Sequence, residues 1–236
     1  PYLAIRAAKG KEERPRRRER YGRTDVPRPD GPLIWVHAAS VGETNAVIPL
    51  INRRTPNAKI IGLSIRINMK MRDGFFVNDE AHQLEIIKRI RKYKPEIVIC
   101  NAIEDRHIDH GKGSKLVSDA CFLSGLRKIE TEHEGVQQEV WRPKVVYHYI
   151  QWKNIEPDFV VDISEFMDIK TKSILAYASQ FYSENSNEPI TPIATKNFLQ
   201  SIHYRTQDFG RLIGVDYAEG FTTERYVAVK SLGDLI

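Results

Sequence analysis

Two imidazoles and two carboxylates crowd into the run Asp105-Arg106-His107-Ile108-Asp109-His110-Gly111. A neutral imidazole ligates metals and moves protons near neutral pH, and a neighbouring carboxylate or second imidazole orients it. The grouping therefore suits a metal centre or general acid–base work; a solvated polar loop is the alternative. It follows Glu96-Ile97-Val98-Ile99-Cys100, a short apolar stretch after Pro95 that reads as a buried strand. It precedes Ser114 to Phe122, whose apolar spacing is helical. The sequence thus predicts all four groups on a strand-to-helix loop, at the end of an open α/β sheet where ligands bind.

The elements that must position this loop follow in chain order. Leu33-Ile34-Trp35-Val36 predicts a first buried strand, and His37 to Thr44 a loop entering a helix. Ala46, Val47, Leu50 and Ile51 give that helix one apolar face, Arg53 to Asn57 end it, and Lys59-Ile60-Ile61 starts a second strand, completing a β-α-β unit. Ser64 to Met71 predicts irregular chain. Asp79 predicts an N-cap for a helix carrying Leu84, Ile87 and Ile90 that stops at Pro95. Val145 to Ile150 and Phe159 to Ile163 predict strands by their β-branched and aromatic content. Ser164 predicts a cap for a helix with Ile169, Ser173, Ile174 and Tyr177 on one side, and Glu184 to Pro192 a polar loop. Asn197 to Leu212 predicts a last long helix and Arg225 to Val229 a late strand. His148 alternates along its strand and reads as structural; His82, His133 and His203 read as surface.

The net charge of +5 resides in residues 1–30, which hold ten Lys/Arg against five Asp/Glu, so the rest of the chain balances at zero. This predicts a basic, solvated N-terminal arm rather than a basic domain face, and no nucleic-acid partner. No run of eighteen apolar residues occurs, so no transmembrane span is expected, and no apolar secretory leader is visible. Cys100 and Cys121 lie in apolar surroundings without CxxC spacing. They predict buried thiols rather than a disulfide, and with the charged N-terminus a cytoplasmic protein.

From Gly62 onward the chain resembles the LmbE-type zinc N-deacetylases, and among them the bacillithiol-biosynthesis deacetylases that hydrolyse N-acetylglucosaminyl malate. The resemblance is carried by Met71-Arg72-Asp73-Gly74-Phe75-Phe76, Asp105 to Gly111, Gln151-Trp152-Lys153, Pro157 to Ile163, Tyr177-Ala178-Ser179-Gln180-Phe181 and Tyr217-Ala218-Glu219-Gly220-Phe221. It implies an α/β fold, a Rossmann-like three-layer sandwich with a mostly parallel sheet, and a small N-acetyl sugar substrate; relatives of this kind often form homo-oligomers. Arg18 to about Ile60 resembles instead the N-terminal part of the 3-deoxy-D-manno-octulosonic acid (Kdo) transferases. Gly31 to Glu43 and Pro49-Leu50-Ile51 carry that likeness. The chain thus reads as a chimera: a flexible arm over 1–30, a Kdo-transferase-like β-α-β unit over 31–61 and an LmbE-like region over 62–236, with 31–236 one structural domain.

The first resemblance implies a zinc cofactor. Zinc hydrolysis of an amide needs three protein ligands and an open position, a base for the water and a donor for the oxyanion. By resemblance His110 is the later zinc ligand, His107 the imidazole that steadies the tetrahedral intermediate and Asp109 the carboxylate that orients the site. Arg106 and Tyr217 match substrate-binding positions. The family's other motif, His-Pro-Asp-Asp on the first strand's loop, is absent. His37 stands at its histidine position, but Ala39 and Ser40 replace the base and the carboxylate ligand, and Glu43 lies six residues after His37. The expectation is a deacetylase-like fold with weakened zinc affinity and turnover. The alternatives are a Kdo-transferase fragment with Glu43 as general base, for which the residues that follow hold no counterpart of the nucleotide-sugar domain, and a non-catalytic hybrid.

Overall fold

The computed structural model describes residues 30–31, 33–36, 65, 67–175, 181–182 and 191–235. Its centre is a five-stranded sheet built from β1 (Ile34–Val36), β2 (Ile97–Cys100), β5 (Val145–Tyr149), β6 (Phe159–Asp162) and β7 (Ala218–Thr223), in the order β1-β2-β5-β7-β6. β1, β2 and β5 pair in parallel, and β7 runs antiparallel to both β5 and β6. Four strands therefore share one direction, the mostly parallel α/β architecture expected. A separate two-residue hairpin joins β3 (Glu132–His133) to β4 (Val136–Gln137).

Pleating sends alternate side chains to opposite faces. Val98 and Cys100 pack with Ile86, Ile87 and Ile90 of α1 (Glu80–Tyr93) and Leu116, Val117 and Ala120 of α2 (Ile108–Leu123). Ile99, Tyr149 and Phe221 form a second cluster, with Ile34, Val36 and Ile97 against it. α1 begins as its sequence demands, with the Asp79 carboxylate accepting from the His82 amide. It ends at Lys94, whose left-handed backbone (φ 47°) closes the helix before Pro95.

α2 starts six residues earlier than its apolar spacing suggests, so Asp109 and His110 stand on a helical first turn and not on a loop. His107 is the N-cap, its ring accepting from the Asp109 amide. Gly111 and Gly113 hide this start, because glycine argues against helix in a sequence. Gly111 has a local reason: a Cβ there would stand 3.3 Å from the Ile103 carbonyl.

Two other expectations are corrected. Ser164 does not cap a helix: it sits in a 3-10 turn (Ser164–Phe166), where its hydroxyl donates to Asp162 and accepts from the Tyr217 amide. α3 (Met167–Leu175) follows that turn. Arg225 to Val229 is no strand; the last strand is β7, and Tyr226 is fully exposed. Strand-like composition forms a strand only where a neighbour offers a ladder. α4 (Lys196–Ile213) falls where expected, capped by Thr195. The chain turns back over its last turn toward β7 so tightly that a Cβ on Gly210 would meet the Val215 carbonyl oxygen at 2.6 Å. His148 is buried, with Nδ1 2.8 Å from Ser114 Oγ and Nε2 3.1 Å from Glu224. His82, His133 and His203 are half-buried rather than fully on the surface. Both cysteines are buried free thiols, and burial pushes each pKa up.

Arg91 of α1 is buried and holds the chain that follows α2. Its guanidinium donates to the carbonyls of Ser124, Leu126 and Ile129 and to the Thr131 hydroxyl. Arg91→Met keeps the volume but strands these acceptors, so it is expected to cost about 2–4 kcal/mol in urea-unfolding free energy. An unchanged midpoint and slope would refute the role.

Candidate functional site

The C-terminal end of β2 leads through Asn101 to Arg106 into α2, and this turn forms one wall of a cleft of about 1080 Å³. Asp105, Arg106, His107, Asp109 and His110 all line it. Trp152, from the segment after β5, and Phe198 and Arg205 of α4 line it as well. Asp73 also borders the cleft.

The two histidines are held differently. Asp105 Oδ2 lies 2.5 Å from His110 Nδ1, and its Oδ1 accepts from the amides of Trp152 (3.2 Å) and Lys153 (3.0 Å). Burial works against this carboxylate, but the bonds from His110 and the Lys153 amide outweigh it and hold its pKa below the ordinary range. An ionised carboxylate only accepts, so the proton between them belongs to His110 Nδ1. The neutral His110 ring therefore carries its lone pair on Nε2. His107 is the reverse. Its Nδ1 accepts from the Asp109 amide at 3.2 Å, which puts the proton of the neutral ring on Nε2. One ring is an electron-pair donor and the other an N–H donor, and they stack with centroids 5.2 Å apart.

Asp109 is buried, and its Oδ2 accepts from the Gly74 amide at 2.6 Å. It thus pins the Arg72-to-Phe75 turn onto the start of α2. Its Oδ1 has no hydrogen-bond partner; Lys112 Nζ stands 3.9 Å away. Ligand atoms of Asp73, His107 and Asp109 all lie within 4.8 Å of one another, a grouping that could hold a metal ion. Arg106 lies over the Trp152 ring, 5.0 Å from its centroid. Deeper in the cleft wall, buried Lys170 pairs with buried Glu219 at 2.5 Å. Burial raises the Glu219 pKa, with Lys170 and Arg205 opposing it.

The structure brings together His107, Asp109, His110 and Arg106. Tyr217 is not among the residues lining the cleft. Its ring meets His203 at 6.3 Å, and its backbone bonds to Ser164 and Ile163. His37 and Glu43 lie outside the described residues. Sequence reasoning missed Asp105 as the group that orients His110, and missed Trp152, Lys170 and Arg205. A charged residue on a helix ordinarily signals solvent, so nothing in the sequence marked Arg205 or Lys170.

Zinc fits His110, whose Nε2 would take the metal while Asp105 holds the far nitrogen, the usual outer support for a ligating imidazole. It does not fit the full donor set that the resemblance requires, because Ala39 and Ser40 supply no carboxylate.

Comparison with known proteins agrees with both halves of the sequence reading. The family model described as 3-deoxy-D-manno-octulosonic-acid transferase (kdotransferase) matches residues 15–64, about a fifth of the chain. Among solved structures, the chain is similar to the conserved protein TT1542 from Thermus thermophilus, at 26% identity and TM-score 0.63, over 82% of this chain and 77% of that one. It is also similar to an N,N'-diacetylchitobiose deacetylase from Pyrococcus horikoshii, at 16% identity and TM-score 0.63, over 94% of both chains. A third is GalB, the 4-carboxy-2-hydroxymuconate hydratase from Pseudomonas putida, at 19% identity and TM-score 0.52, over 80% of this chain and 73% of that one. The last two likenesses are of fold, the α/β fold that a deacetylase and a hydratase share. No helix among the described residues is long and apolar enough to cross a membrane.

The lowered pKa of Asp105 has a consequence for acid stability. A carboxylate depressed in the fold contributes stability that is present above its unfolded value and is lost as pH falls through the folded one. In metal-free protein, Asp105→Asn is expected to cost about 1–3 kcal/mol at pH 7. That difference should shrink once pH drops below about 4. Urea unfolding at several pH values measures it; a gap that does not vary with pH would contradict the ionised pair.

Proposed function

We infer that the cleft belongs to an N-deacetylase-like amide hydrolase of a small N-acetylglucosaminide, of the N-acetylglucosaminyl malate type, with zinc as cofactor and with turnover impaired. The observation that carries this reading is the opposed pair of imidazoles at the start of α2. Amide hydrolysis needs an electron-pair donor for the metal and an N–H donor for the oxyanion side by side. His110 suits the first role and His107 the second. Arg106, seated on Trp152 at the cleft wall, suits an anionic or polar substituent of the sugar, and Asp109 keeps the start of α2 in place. Bound zinc would supply Lewis-acid polarisation of the acetyl carbonyl and of water.

Impairment follows from the sequence near His37: a methyl side chain cannot take a proton from water, and a neutral serine is a poor ligand beside a carboxylate. Glu43 is the nearest acidic residue after His37 that could serve as base. The same reading takes residues 31–236 as one domain. The in-register pairing of β1 with β2 supports that, since β1 lies within the Kdo-transferase-like segment.

Acetate release from N-acetylglucosaminyl malate should be slow and should rise with added zinc. His110→Ala should remove the zinc-dependent part, and His107→Ala should lower kcat about 100-fold. Calorimetric titration should give a zinc Kd weaker than about 1 μM. Absence of any zinc-stimulated acetate release would sink the deacetylase reading, and tight zinc binding with brisk turnover would sink the impairment.

A further inference from the structure

Trp152 is where the two sides of the cleft meet. Its amide donates to Asp105 at 3.2 Å, and Asp105 holds His110. One contact of its ring is with the Arg106 guanidinium, 5.0 Å from the centroid. The other is with the Phe198 ring, nearly parallel at 15° and 5.4 Å between centroids, and Phe198 in turn stacks on Phe181 at 5.9 Å. Its carbonyl accepts from Arg205 Nη2 at 2.9 Å. A single residue thus carries the support of a histidine on its amide and the support of an arginine on its ring. α4 holds that residue by two of its own side chains, seven positions apart on one helical face.

Arg205 is the charged member of this clamp. Burial pulls its pKa down, and the charges of Asp105 and Glu219 oppose that fall. Its Nε is buried without a hydrogen-bond partner. A guanidinium in that setting is held by geometry: its Nη2 fixes the carbonyl of the same residue whose amide donates to Asp105.

We propose that Arg205 is a positioning residue for the reaction, acting through the Trp152 peptide on Asp105 and His110, and through the Trp152 ring on Arg106. Its hold on the site runs through the Trp152 carbonyl, which accepts from Nη2. The proposal deepens the hydrolase reading and rests on it for the task of His110, but not for the chain of contacts.

The test uses the 236-residue chain, zinc-free, first. The Nδ1 proton of His110, shared with Asp105, should give a downfield proton resonance that disappears in His110→Gln. It should persist in Arg205→Lys, which keeps the charge and a donor, and should broaden or vanish in Arg205→Met while the circular dichroism of the fold is retained. With zinc and substrate, Arg205→Met should lose about 10–100-fold in zinc affinity or activity, with Arg205→Lys recovering part of it. Trp152→Leu keeps the backbone bonds but removes the platform of Arg106, so it should raise KM and leave zinc affinity unchanged. An unaltered resonance in Arg205→Met overturns the proposal, as does its absence from the unmodified protein. If no variant, and not the parent either, releases acetate while the resonance behaves as described, the hydrolase assignment fails and the positioning role stands.

Discussion

One carboxylate joins the parts of this molecule that chemistry would require to be rigid. Asp105 leaves the end of β2, reaches His110 with one oxygen and gathers two backbone amides from the segment after β5 with the other. The two strands are neighbours in the sheet, so the carboxylate spans adjacent crevices at their C-terminal ends. Without it, the histidine would lose the acceptor of its Nδ1 and the 151–153 segment the acceptor of two amides. Ionisation is part of the arrangement, since a proton on Oδ2 would make that oxygen a donor toward His110 instead of an acceptor.

The same fold houses a deacetylase and a hydratase in other organisms, so architecture does not choose between cleaving an amide and adding water to a double bond. The choice rests on which atoms carry protons. Here the backbone itself sets one of the two tautomers: the helix start needs an acceptor for the Asp109 amide, and the His107 ring supplies it. Asp105 sets the other. Capping a helix and preparing a hydrogen-bond donor are then one event, which ties the stability of α2 to the chemistry at its first turn.

Much of the fold could be read from residue patterns. Asp79 announced its helix, because a side-chain acceptor just ahead of an amphipathic run has one use. β2 and β5 followed from short apolar or β-branched runs. The failures share a cause. α2 begins among glycines, β7 contains Glu219 and Gly220, and Ser164 faces a turn; each is decided by a distant partner rather than by neighbours in sequence. The site divides in the same way. His107, Asp109 and His110 were visible as a cluster. Arg205 and Lys170 were not, since a cation on a helix looks the same in sequence whether it faces water or a buried carboxylate.

β1 gives the molecule a different lesson. Among the described residues this three-residue strand stands at the rim of the sheet and pairs with β2 alone, in register through main-chain groups. Amide and carbonyl ladders carry no record of lineage; any non-proline segment of suitable shape and greasiness can supply them. Ile34, Trp35 and Val36 come from the stretch that matches the Kdo-transferase family model, yet they pair with β2, which lies outside that stretch. A rim position is therefore interchangeable in a way that β5, bonded on both flanks, is not. Such a border can accept a segment of different sequence while the rest of the sheet keeps its shape.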